Sequence, residues 1–184
     1  MLRTMKATGI VRRIDELGRV VIPKEIRRTQ RIRQGDTLEI YTAADGEVVF
    51  KKYSPLAELG QLSAIYAEVL AKTLGRAVLV CDRARITAAS GGGRTEMVGR
   101  ELSPQTERLL AARSVYTAPE DPARRHKLLE QGERLALCAA PIVAHGDVEG
   151  AILLPGTAKD PVPPAEDVQA VALAASFLSR WMEE

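Results

Sequence analysis

The chain has 184 residues, 46% apolar and 27% charged, which excludes an intrinsically disordered polymer and fits one large domain or two small ones. Only 4% is aromatic, so any core is built from Val, Ile, Leu and Ala, and two cysteines, Cys81 and Cys138, exclude a disulfide framework or a cysteine-rich zinc site. The net charge of +2 conceals an asymmetry: residues 1–54 carry 12 basic against 7 acidic side chains, and residues 55–184 carry 14 against 17.

In chain order, Arg3 and Lys6 have no apolar stretch behind them, so no secretory signal is expected. Residues 8–14 read as a strand, and Asp15-Glu16-Leu17-Gly18 supplies turn chemistry, with the glycine free to take positive φ. Residues 19–22 make a second, β-branched strand. Pro23 stands where a helix begins, having no amide hydrogen to lose there. Residues 24–31 then form a short helix, stopped by Gln34-Gly35-Asp36. Two further strands, 38–42 and 47–53, join through Ala43-Ala44-Asp45-Gly46, an Asp-Gly hairpin signal. A β-β-α-β-β piece of about fifty residues buries too little to stand alone, so it is expected to fold only as a dimer, strands of two chains completing one barrel or sandwich.

Ser54-Pro55 marks a boundary, giving expected domains 1–54 and 55–184. Beyond it, Leu59, Leu62, Tyr66, Val69 and Thr73 recur at 3-4-3-4 spacing, flanked by Leu56, Ile65, Leu70 and Leu74: a helix suited to packing on its own domain and on a neighbouring chain, closed by Gly75. Strands follow at 77–81 and 86–90, then Gly91-Gly92-Gly93. Ser103-Pro104 starts a helix through Arg113, and residues 120–131 suggest a helical or loop-rich excursion. Residues 134–144 and 147–154 form an apolar hairpin through His145-Gly146; the longest apolar stretch, around Leu135 to Ala144, is far short of the ~20 residues of a membrane span. A last helix covers 165–182, with Val168, Val171, Ala175, Leu178 and Met182 on one seam and Leu173, Phe177 and Trp181 on a second face. Helices at both ends with strands between describe an α+β domain.

The first 35 residues hold 10 basic against 3 acidic side chains, and Arg12, Arg13, Arg19, Arg27, Arg28, Arg31 and Arg33 place seven guanidiniums within 22 residues. Arg12 and Arg19 flank the first turn, and Arg27-Arg28 sit on the short helix. A dimer doubles each group into a two-fold basic surface that can track a duplex. The planar fork of arginine donates in pairs, which suits phosphate oxygens and guanine edges. With about four arginines per chain on phosphates, a dimer neutralises about eight, and the salt slope approaches ~−7.

The run from Thr8 through Arg28, with Gly35-Asp36, Leu38-Glu39-Ile40-Tyr41 and Lys51-Lys52-Tyr53-Ser54-Pro55, closely resembles the AbrB family of bacterial transition-state regulators over residues 5–55. The resemblance implies a swapped-hairpin, β-rich dimerisation domain that binds DNA, with Arg12, Arg19, Arg27 and Arg28 at positions implicated in contact and Arg13 a weaker match. Leu56-Ala57-Glu58-Leu59-Gly60, Val80-Cys81-Asp82-Arg83 and Pro141-Ile142-Val143-Ala144-His145-Gly146-Asp147 extend it to relatives with a carboxy-terminal GAF domain; it fades over 91–133. This implies a sporulation-stage transcription regulator, tetrameric through helices 56–74 and 165–182. It also implies a cytoplasmic, nucleoid-associated location, and a GAF-like domain that oligomerises or senses an unidentified small molecule.

Sharper readings compete with plainer ones. Gly91-Gly92-Gly93-Arg94 lacks the Lys-Ser/Thr of a phosphate loop and reads as a flexible loop. Cys81 and Cys138 lie in apolar strands and read as small hydrophobes; neither His126 nor His145 is placed by sequence beside them, and two histidines make a poor metal site. Glu120-Asp121 reads as a helix start rather than a catalytic pair. No nucleophile–base constellation supports an enzyme, and no cofactor is implied. The alternative is an antitoxin-like regulator that binds DNA and protein, since antitoxins share the swapped-hairpin fold.

Overall fold

The computed structural model describes residues 7–53, 60–92 and 94–183. The expected boundary at Ser54-Pro55, the seam residue Leu59 and Gly93 lie outside them. The chain divides into two compact units, Met1–Tyr53 and Ser54–Glu184.

In the first unit, residues 15–18 form the expected turn: Gly18 N–H donates to Asp15 O at 2.9 Å, Asp15 N–H donates to Arg19 O at 3.0 Å, and Gly18 takes φ +73°. Residues 8–14 and 19–22, expected as strands, form no ladder among the described residues, and residues 7–21 are all exposed. The physical reason is that a lone two-stranded ribbon of β-branched residues finds no core to pack against among the described residues of its unit. Helix α1 (Lys24–Thr29) begins after Pro23, which caps it with extended ψ. It closes in a Schellman motif: Ile32 N–H donates to Arg27 O at 2.7 Å and Arg31 N–H to Arg28 O at 3.2 Å, with Arg31 in the left-handed region at φ +52°.

Strands β1 (Leu38–Thr42) and β2 (Val48–Lys52) pair antiparallel, Leu38 opposite Lys52 and Thr42 opposite Val48, around the Asp45-Gly46 turn. Lys52 ties the hairpin to the helix exit, its Nζ donating to Asp36 Oδ2 at 3.0 Å and Arg31 O at 2.9 Å. Among the described residues of this unit only Pro23 is buried.

The second unit is a five-stranded antiparallel sheet, β4-β3-β7-β6-β5, with two long helices on one face and a shorter helix with loops on the other. Helix α2 (Gly60–Leu74) precedes β3 (Val78–Asp82) and β4 (Ile86–Ser90). Helix α3 (Pro104–Ala111) starts at Ser103, whose Oγ accepts from Thr106 N–H at 3.1 Å. A two-residue edge strand β5 (Tyr116–Thr117) pairs with β6 (Leu135–Ala144), which turns through His145-Gly146 into β7 (Asp147–Gly156); α4 (Ala165–Trp181) ends the fold. His145 and Gly146 both have positive φ, the conformation a two-residue type I′ hairpin demands.

The strands are buried on both faces, which explains their continuous apolar runs. Val78 and Val80 of β3 and Ile152 and Leu154 of β7 face Ala67, Leu70 and Ala71 of α2 and Val171, Ala175 and Leu178 of α4. Their neighbours Leu79, Cys81, Ala151 and Leu153 face Met97, Leu102, Leu110, Leu128 and Leu129. The β6–β7 register shifts twice. At the first shift Leu137 and Cys138, adjacent in sequence, both join the helix-side core. At the second, Val143 N–H is met by Ser179 Oγ of α4 at 2.9 Å. Residues 120–131 carry one short 3₁₀ turn, Pro122–Arg124, and are held by buried Arg125, which donates to the carbonyls of Pro119, Glu120, Thr157 and Asp160. Arg76 pairs with Asp167 at 2.8 Å, joining the end of α2 to the first turn of α4.

Candidate nucleic-acid interface

The five arginines expected to contact DNA, Arg12, Arg13, Arg19, Arg27 and Arg28, are all exposed on the first unit. Arg12 and Arg13 precede the 15–18 turn, Arg19 follows it, and Arg27 and Arg28 occupy the last turn of α1. The turn brings Arg19 back to Asp15, two residues past Arg13, and Arg27 and Arg28 adjoin each other on the helix. Arg12 donates to the carbonyl of Val11 at 3.2 Å. Among the described residues, none of Arg12, Arg13, Arg27 and Arg28 has a carboxylate partner, so their charge is presented to solvent.

Arg19 differs. Its Nε donates to Asp15 Oδ2 at 2.8 Å, while Asp15 Oδ1 accepts the backbone N–H groups of Leu17 at 3.0 Å and Arg19 at 2.8 Å. The backbone bond from Arg19, then its guanidinium, holds the Asp15 carboxyl below the usual carboxylate range. Sequence reading treated Asp15 as turn chemistry alone. The available signal was an aspartate four residues before an arginine with a glycine between, which a tight turn converts into contact.

The same unit exposes much apolar surface: Val11, Ile14, Leu17 and Val21 are between 71% and 84% exposed, and Ile40, Val48 and Phe50 of the hairpin are exposed too. On the second unit, Ile65 and Val69 of α2 and Leu173, Phe177 and Trp181 of α4 are exposed, with the Phe177 ring in tilted contact with Tyr66 at 5.4 Å and Trp181 at 6.2 Å. The seam Val168–Val171–Ala175–Leu178–Met182 packs on the core, leaving the second face outward.

The remaining chemistry-bearing residues are structural. Cys81 donates to Ala151 O, and burial pushes its thiol pKa far up; burial and the nearby Asp167 charge push that of Cys138 up to about 12. The His126 ring packs steeply tilted against Tyr116, and His145 Nε2 lies 3.1 Å from Met182 O. Asp121 caps the 3₁₀ turn through Ala123 N–H, as a helix-start residue does. Among the described residues no group of three His, Cys, Asp or Glu side chains could hold a metal, and no helix is long and apolar enough to cross a membrane.

Residues 58–183 match the family described as stage V sporulation protein T C-terminal, transcription factor, and residues 11–57 match the MazE family of antidote-toxin recognition proteins, bacterial antitoxins. Stage V sporulation protein T of Bacillus subtilis (strain 168) is 46% identical over 182 residues, covering 98% of this chain and all of that protein. The chain belongs to the stage V sporulation protein T family. It is thus a member of a family of transcription factors, a regulator rather than an enzyme. Its arginine-bearing segment is 61% identical over 51 residues to the transition state regulatory protein AbrB of the same organism, covering 28% of this chain and 52% of that one. The fold is α+β, an AbrB-like first unit followed by a second unit built on a five-stranded antiparallel sheet. The second unit shares its fold with type II free methionine-R-sulfoxide reductase of Thermoplasma acidophilum (14% identity, 69% of this chain and 94% of that one, TM-score 0.51). A GAF domain/HD domain protein of Geobacter sulfurreducens also matches (19% identity, 69% and 95%, TM-score 0.47).

Proposed function

We propose that two copies of the first unit intertwine and present Arg12, Arg13, Arg19, Arg27 and Arg28 to duplex DNA, making the chain a DNA-binding, nucleoid-associated regulator of sporulation-stage transcription. One observation carries the reading: the unit that exposes these guanidiniums also exposes the β-branched side chains that should form its core. Burying that surface needs a second copy, and the second copy doubles the basic face. The match to antitoxins covers residues 11–57, whereas stage V sporulation protein T matches nearly the whole chain.

Fluorescence anisotropy with labelled duplex DNA tests it. Arg27→Ala and Arg28→Ala should each weaken binding while leaving the oligomer intact by light scattering. Unchanged affinity in both would refute the assignment.

The exposed strip of Ile65, Val69, Leu173, Phe177 and Trp181 supports a second association, between helices α2 and α4 of neighbouring dimers, giving a tetramer that spaces two basic faces. Phe177→Asp should yield a dimer by sedimentation; a persistent tetramer would place that contact elsewhere. A small-molecule effector acting through residues 77–155 would have to favour one spacing of those faces over another. A thermal-shift panel of nucleotides and amino acids tests for it, and no shift across the panel counts against it.

A further inference from the structure

We infer that Asp15 is a positioning residue for nucleic-acid recognition, directing Arg19 to guanine edges rather than to phosphate. The inference rests on the DNA-binding reading above. Among the described residues, Arg19 is the member of the five-arginine set that carries a carboxylate partner. Both oxygens of Asp15 are committed: Oδ1 holds the turn through Leu17 and Arg19 N–H, and Oδ2 holds the Nε edge of the guanidinium. The ion pair is exposed, 69% on the arginine and 42% on the aspartate, so it contributes little to stability. Its consequence is geometric and electrostatic.

With Nε engaged by Asp15, Nη1 and Nη2 remain as a donating fork. That fork matches the O6 and N7 acceptors of guanine in the major groove. The adjacent carboxylate repels phosphate oxygens, so the pair gains less from the backbone than a bare arginine does. Arg12, Arg13, Arg27 and Arg28, free of carboxylates among the described residues, keep their full charge for phosphates. The arginines thereby divide into four that hold the backbone and one that reads sequence.

The test compares the full-length wild type with Asp15→Asn and Arg19→Ala, using a pool of short duplexes of randomised sequence and the most enriched duplex resynthesised with 7-deazaguanine, which lacks N7. Asp15→Asn keeps an Oδ1 acceptor for the turn and removes the charge. The wild type should enrich guanine at a recurring position and lose affinity roughly five- to 100-fold on 7-deazaguanine substitution there. Both variants should lose that sensitivity, and Asp15→Asn should bind the unselected pool at least as tightly as the wild type. A merely structural aspartate predicts the reverse for the pool, a uniform loss. Full guanine preference in Asp15→Asn, or a uniform loss across the pool, overturns the inference while leaving DNA binding intact. A wild type that does not bind the pool overturns the DNA-binding reading itself, and this one with it.

Discussion

Arg31 occupies the helix-exit position that glycine usually fills, and its left-handed φ costs an L-residue about 1 kcal/mol. The backbone bonds that close α1 involve Arg31 N–H and Ile32 N–H, and Lys52 reaches Arg31 O, so none depends on the side chain at 31. Arg31→Gly would therefore relieve that backbone strain while leaving the closing bonds of α1 in place. Gly91 has the opposite constraint. A Cβ there would lie 2.8 Å from Arg76 O, in a backbone already at φ +81°. The glycine run, legible in sequence only as a flexible loop, therefore begins with a close backbone approach that no local pattern encodes. The thiols follow their burial: with Cys138 pushed up to about 12 and Cys81 higher, the thiolate fraction at pH 8 is negligible. Ellman's reagent should label neither until the protein unfolds; rapid labelling of the native chain would contradict the buried placement.

Elements with strong local signals were legible. Strands 38–42 and 86–90, the Ser103 cap, the Asp45-Gly46 and His145-Gly146 turns and the last helix follow from β-branched runs, capping chemistry and 3-4 spacing. Strand β5 was not legible, because two residues carry no periodicity and it exists only by pairing with β6. The bulges of β6 were equally invisible, yet they decide which side chains face α4. Ser179 shows the coupling: its hydroxyl donates to Ala175 O and accepts from Val143 N–H at the second register shift. Ser179→Ala removes that acceptor from a part-buried amide and should cost about 1–3 kcal/mol. Hydrogen exchange at Val143 should accelerate; unchanged protection would mean that the amide is satisfied otherwise. The candidate site divides in the same way: the arginines were legible from charge density, whereas the Asp15–Arg19 pair required the turn's geometry.

Across the molecule, the two units solve the burial problem differently. The second covers both faces of its sheet within one chain, and truncating a central side chain such as Leu178 to alanine should cost about 2–5 kcal/mol in thermal or chemical unfolding. The first buries only Pro23 among its described residues, and its missing ladder between residues 8–14 and 19–22 is what a strand pair awaiting another copy would show. Its arginines are likewise incomplete alone, since a duplex offers phosphates over a span that one small unit does not cover. The proposed second chain would remedy both deficits.

Salt dependence of duplex binding tests that convergence most directly, because it counts the phosphates neutralised without knowledge of the operator. The affinity of the full-length protein should fall with a log–log slope near ~−7, and Arg27→Ala, which removes two cations per dimer, should make the slope shallower by about 2. A wild-type slope near about −1, or a slope that Arg27→Ala leaves unchanged, would contradict the account.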